Sequence, residues 1–314
     1  MSGPPSLRQL AFGIVAFVTD EPGGAIVLAA RQLRSSSSYV LCISPPATRG
    51  AVLAAGARWS NLTVAEEATA KWASRYRHSS SNAAAYERFC LRRWLMLHEA
   101  VARMPDVGPA TALAVLDSDV LLFRHPALWL SELQALPQHR DANAAGLFGV
   151  AFMILSPEAL SRFAGFLRWL YGGSSARLGA ELDRFGVPRT CLELPTRIRR
   201  TLNKKLVAYA NHTSPGHYRH FTDVQAMRGF CARSNESSLP KEVRPVRCSG
   251  IGFGNRCADP ACRGADADIR TRVEQPEQPY HRQVGGSCST EYLAPAAPGS
   301  VVMYTVETAP WPNA

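Results

Sequence analysis

The stretch Ala-Thr-Ala-Leu-Ala-Val-Leu-Asp-Ser-Asp-Val-Leu-Leu-Phe-Arg-His-Pro, residues 110–126, decides how the chain is read. An apolar run, Leu113 to Leu116, stops at two carboxylates, Asp117 and Asp119, and a second apolar run, Val120 to Phe123, follows at once. Acids buried without a partner are costly. At the end of a strand they can instead share a hard divalent cation and its waters. Alternate residues of an extended segment point to one side, so Asp117 and Asp119 are expected to converge on one ion while Ser118 faces away. A cation held there would neutralise a diphosphate.

The surrounding chain reads as alternating strands and helices. Ala11–Val18 is a buried strand ending at the turn-rich Thr19-Asp20-Glu21-Pro22-Gly23. A helix is expected over Ala25–Leu33, a strand over Tyr39–Ser44 and a helix over Arg49–Ala57. That order is the pattern of parallel α/β units. A long helix is predicted from about Asn82 to Arg103, with Tyr86, Cys90, Trp94, Leu97 and Val101 on one apolar stripe and Arg88 and Arg92 on another face. Leu147–Leu155 reads as one further strand. Ser156-Pro157-Glu158 reads as a capped helix start. Thr222 or Asp223 is expected to open a short helix. Residues 231–298 are rich in Cys, Pro, Gly and Arg and read as a loop-rich extension closed by a last strand, Ser300–Val306. We therefore divide the chain at 230, into a core over 1–230 and an extension over 231–314.

Composition narrows the class. Of the 314 residues 46% are hydrophobic and 19% charged, enough for a sizeable core. No apolar run approaches the roughly 20 residues of a membrane span, so membrane attachment is expected only through an anchor absent from this chain. The net charge of +10 comes from scattered arginines, and no nucleic-acid-binding module accompanies it, so nucleic acid is not expected as a partner. Five of the eight cysteines lie from Cys231 onward, and sequons begin at Asn61, Asn211 and Asn235. Together they favour an oxidising secretory lumen, with disulfides and glycosylation. Cys248, Cys257 and Cys262 match no common zinc spacing.

At this point the chain resembles the GT-A glycosyltransferases, which pair a Rossmann-like α/β sheet with an Asp-x-Asp motif. The resemblance rests on the strand ending Thr19-Asp20, on Tyr86-Glu87-Arg88, on Val115-Leu116-Asp117-Ser118-Asp119-Val120, on Gly146 to Leu155 and on Thr222-Asp223-Val224-Gln225. It implies a mixed, mainly parallel sheet flanked by helices. It further implies a Golgi enzyme moving a sugar from a nucleotide diphosphate sugar, UDP-linked, to a glycan or glycoprotein. Asp117 and Asp119 would bind Mn²⁺ or Mg²⁺. Thr19, Asp20, Arg88, Arg92 and Ser118 would lie on the nucleotide side. Asp223, a candidate base, and Gln225 would be the catalytic pair. Asp141, Asn143, Phe148 and Gly149 fall where the family places sugar and acceptor contacts.

One departure bears on activity. Many metal-dependent relatives supply a third ligand, a His, after a final strand; residues 307–314 contain none. His281 or Glu307 is the available substitute. Otherwise the chain reads as truncated or as a catalytically inactive sugar-nucleotide-binding relative. A sugar nucleotidyltransferase is the weaker alternative, because Glu21-Pro22-Gly23-Gly24 is a poor version of its Gly-rich phosphate loop.

Overall fold

The computed structural model describes residues 4–21, 25–33, 39–80, 83–118, 120–122, 125–148, 150–185, 187–188, 219–233, 239–240, 243–249 and 303–305. The first half of the chain runs β1 (Ala11–Val18), α1 (Ala25–Leu33), β2 (Tyr39–Ser44), α2 (Arg49–Ala54), β3 (Arg58–Asn61), α3 (Leu62–Ala68), α4 (Ala70–Ala73), α5 (Ala84–Ala102), β4 (Thr111–Leu116) and β5 (Val120–Leu122). Next come α6 (Pro126–Ala135), α7 (Pro137–Arg140), β6 (Ala144–Phe148), β7 (Phe152–Leu155), α8 (Pro157–Gly172) and α9 (Ser175–Phe185). The described chain is completed by β8 (Val187–Pro188), β9 (Arg219–His220), α10 (Asp223–Ala232), β10 (Cys248–Ser249) and β11 (Met303–Thr305). Among the described residues no helix is long and apolar enough to cross a membrane.

Seven strands form one Rossmann-like sheet in the order β10-β6-β7-β4-β1-β2-β3. β7 alone runs against the others in it. The sheet is thus mixed and mainly parallel, as expected. Parallel strands covered on both faces read as continuous apolar runs, and the alternation of side chains sorts each run onto two faces. Ile14, Ala16, Leu113 and Val115 pack with Leu91, Trp94 and Leu95 of α5 and Phe163 and Phe166 of α8. Val15, Phe17, Ala112, Ala114 and Leu116 pack on the other side with Ile26, Ala29 and Leu33 of α1 and Leu130 of α6.

The order of the strands creates the place for a site. From β1 the chain steps outward to β2 and β3, then crosses back and lays β4 on the opposite flank of β1. Connections leave β1 and β4 in opposite directions, which makes their carboxyl ends the switch point of the sheet. The register pairing Phe17 with Leu116 sets Thr19 and Asp20 beside Asp117 at that edge.

Several expectations are corrected. Residues 147–155 are not one strand: β6 and β7 form an antiparallel pair with Phe148 opposite Phe152. Both strands are apolar, so hydropathy alone conceals the reversal. Tyr86 does not belong to the buried stripe of α5; it is exposed, whereas Glu87, Leu91 and Arg93 are buried. β3 and α9 carried no signal that we read. Among the described residues of the extension, β10 extends the main sheet beside β6, and β11, inside the segment expected as the last strand, pairs antiparallel with β5. A disulfide, Cys231–Cys248, ties α10 to β10.

Gly13 sits where the β1–β4 register slips, and a Cβ there would stand 2.6 Å from Cγ2 of Thr111. Gly13→Val is expected to cost about 1–3 kcal/mol by overpacking. Gly179→Ala, in α9 with nothing within 4 Å of the added carbon, should gain about 0.5–1 kcal/mol. Urea unfolding of both variants checks the pair.

Candidate functional site

Asp117 directly follows β4. Its amide donates to the Ala151 carbonyl (2.9 Å), adding one rung to the ladder with β7, and its carbonyl accepts from the Val120 amide (3.1 Å). A bond from residue i to i+3 marks a β-turn, so the chain turns directly after β4. Asp119 lies outside the described residues.

By the alternation along β4, a side chain after Leu116 falls on the face covered by α5. That helix runs opposite to β4 and brings its first half to the carboxyl edge. There Asp117 Oδ1 accepts from Arg93 Nη1. The second arm of the guanidinium, Nη2, donates to Asp223 Oδ2 at 2.9 Å and lies 3.4 Å from the Val150 carbonyl. Trp94 Nε1 donates to the same Asp223 oxygen at 3.3 Å. One arginine therefore spans two carboxylates carried by distant parts of the chain.

Asp223 is the first residue of α10. Thr222 caps that helix, its hydroxyl accepting from the Val224 amide (3.2 Å), and Gln225 Oε1 accepts from both the amide (3.0 Å) and the hydroxyl (2.6 Å) of Thr222. An acid in the first turn is favoured by the helix dipole. The far end of α10 is held by the buried Arg233–Glu181 ion pair and by the Cys231–Cys248 disulfide. Asp223 is thus fixed from both ends of its helix.

The charges balance against burial. Burial opposes the charge on Arg93, but Asp117 and Asp223 outweigh it and raise the guanidinium pKa. Burial also lifts the Asp223 carboxyl above the usual range; Arg93 opposes that shift and Asp117 adds to it. The Asp117 side chain is 29% exposed, against 9% for Arg93 and 7% for Asp223. Asp117 is the member that faces outward. Next to it, the neighbouring Cys90 raises the Tyr86 hydroxyl, and burial raises the Cys90 thiol. Both stay neutral and donate no charge to the site.

The remaining expected residues divide. Thr19 is buried at the end of β1, its amide donating to the Ile43 carbonyl (3.0 Å) and its hydroxyl accepting from the Glu21 amide (3.1 Å). Asp20 is exposed beside it, its carboxyl raised first by partial desolvation and then by Glu66. Arg88 is exposed on α5. Arg92 is engaged elsewhere: Nε donates to Thr69 Oγ1 (2.7 Å) and Nη1 pairs with Glu66 (3.3 Å), tying α5 to α3. Ser118 lies in the turn after Asp117. Asp141 and Asn143 are placed at the opposite, amino edge of the sheet, because Ala144 is level with Leu155 and Leu113. Asn143 is a structural clip there, donating to the carbonyls of Pro4 and Pro5 and accepting from the Arg247 amide. That edge is opposite the one that carries Asp117. Gly149, His281 and Glu307 lie outside the described residues.

Sequence reading missed Arg93. Its signal was present: a charged residue beside Trp94, seven residues after Tyr86, on the helix face assigned to the core. A cation placed there demands a buried carboxylate.

Of the two acids expected to bind metal, Asp117 alone is among the described residues. No three His, Cys, Asp or Glu side chains among them are grouped to hold an ion. Asp117 has one oxygen on Arg93, and its second oxygen, on a partly solvated side chain, suits a hard cation.

No family model matches the chain, and no curated protein matches it. Among solved structures, mouse xyloside xylosyltransferase 1 in its apo form is similar over 55% of this chain and 76% of that one, with 14% identity and a TM-score of 0.39.

Arg93→Met leaves two carboxylates without their cation and is expected to cost about 3–5 kcal/mol. Arg92→Met, whose partner Glu66 is 40% exposed, should cost at most about 1 kcal/mol. Urea midpoints of the two variants make the comparison.

Proposed function

We propose that the chain is a metal-dependent glycosyltransferase that moves a sugar from a UDP-linked donor to a glycan or glycoprotein in the Golgi lumen. The observation that carries this reading is the position of Asp117: at the carboxyl end of β4, beside β1 at the switch point of the sheet, partly open to solvent and braced by Arg93. Parallel sheets bind nucleotides at such switch points.

In this reading Asp117 and Asp119 hold Mn²⁺ or Mg²⁺, which stabilises the departing nucleoside diphosphate. Thr19 and Asp20, on the same edge, meet the nucleoside, with Ser118 alongside. Arg88, exposed on the helix that carries Arg93, lies towards the phosphates. Arg92 supports α3 instead of touching the nucleotide. Asp223 keeps the charge pattern behind Asp117, and Gln225 holds the turn that presents Asp223. The Cys231–Cys248 disulfide and the partly exposed sequon residue Asn61 support a secretory location.

Calorimetry with Mn²⁺ and UDP, followed by a donor-hydrolysis screen over nucleotide sugars, tests the proposal. The parent chain should bind UDP only with the metal present. Asp119→Ala should abolish that binding with thermal unfolding nearly unchanged, and Asp117→Ala should abolish it with some loss of stability, because Arg93 then keeps one partner. A variant of Asp119 that binds UDP as the parent does in Mn²⁺ sinks the metal assignment. Binding with no turnover on any donor would reduce the chain to a sugar-nucleotide-binding relative.

A further inference from the structure

We infer that Arg93 is the positioning residue of this site and that Asp223 acts only through it, so that Asp223 touches neither donor nor acceptor. The inference rests on the nucleotide-sugar reading above. Asp223 is 5% exposed, and its Oδ2 already accepts from both Arg93 and Trp94. It faces into the protein, and its helix is closed on the site side by the Thr222–Gln225 capping box. Asp117 is the reverse: it stands on a turn with its side chain partly in solvent, where its carboxylate would rotate freely without a partner. The guanidinium donors form a rigid fork. With Nη2 fixed by Asp223, Nη1 has one place to go, and it sets the direction of the Asp117 carboxylate. The Val150 carbonyl, 3.4 Å from Nη2, helps keep the fork in plane. Groups that orient a metal-binding carboxylate from behind control metal affinity without touching the metal.

The consequence is a specific pattern of coupling. The experiment is a double-mutant cycle on the full chain, combining Asp223→Asn with Arg93→Met, read as the Mn²⁺ concentration that gives half-maximal UDP binding. Asp223→Asn alone should raise that concentration roughly 10-fold or more. In the Arg93→Met background the same change should alter it by less than about twofold, since residues acting through one another do not add. Arg93→Lys should not restore the parent value, because a point charge does not span two carboxylates. It also replaces Arg93→Met as the background if that variant does not fold, with the same expectation. A direct contact of Asp223 with substrate would give equal losses in both backgrounds. A role for Asp223 as a proton acceptor alone would leave UDP binding in the parent background untouched. Either result overturns the inference while the glycosyltransferase reading stands. A parent chain that binds no UDP in Mn²⁺ overturns the reading and the inference together.

Discussion

A guanidinium buried in the seam between a helix and a sheet edge is tolerable only if carboxylates meet it, and two of them do. Arg93 reaches Asp117, 24 residues on, and Asp223, 130 residues on. The three side chains join α5, the end of β4 and the start of α10. The two carboxylates differ in burial, and Asp117 is the more exposed of the two. The interaction therefore does two things that a hydrophobic contact would not. It fixes the geometry of three elements, and it leaves a directed carboxylate at the carboxyl end of β4.

Much of the fold was legible because it is local. β1, α1 and β2 each follow from a run of apolar residues bounded by turn residues, and their observed limits match those expected. The helix starts at Ser156 and Thr222 were readable because capping is a side-chain to backbone bond within three residues, and both caps are made. Asp117 at the end of β4 was readable for a related reason: an acid breaking a buried run has to reach an edge. What failed depended on partners far away in the chain. The reversal between β6 and β7 is invisible where both strands are buried. The clip at Asn143 depends on Pro4, Pro5 and Arg247, which no window around Asn143 contains.

The misreading of α5 is the most instructive of these. A stripe through Tyr86, Cys90, Trp94, Leu97 and Val101 is a fair amphipathic pattern, yet the helix is buried over more than one face because α8 and the sheet both cover it. Under those conditions polarity no longer marks the solvent side. Glu87 and Arg93 are buried, whereas Tyr86 is exposed. Arg88 and Arg92 were selected as exposed cations suited to phosphate. The arginine that the site is built around was the one placed among core residues, where a charge has to be explained by another charge.

The same logic explains why the chain beyond residue 230 matters to a site formed before it. Asp223 can hold Arg93 only if α10 does not slide, and a ten-residue helix has little hold of its own. Its last turn is therefore anchored twice. Arg233 pairs with Glu181 of α9 where both are buried, and Cys231 is bonded to Cys248. Cys248 opens β10, whose register with β6 makes it part of the main sheet. A restraint thus runs from the sheet, through the disulfide and along α10, to Asp223, then through Arg93 to Asp117, directly after β4 of the same sheet. The loop is closed mechanically. Displacing β10 would move the acid that directs the guanidinium, and with it the carboxylate at the end of β4.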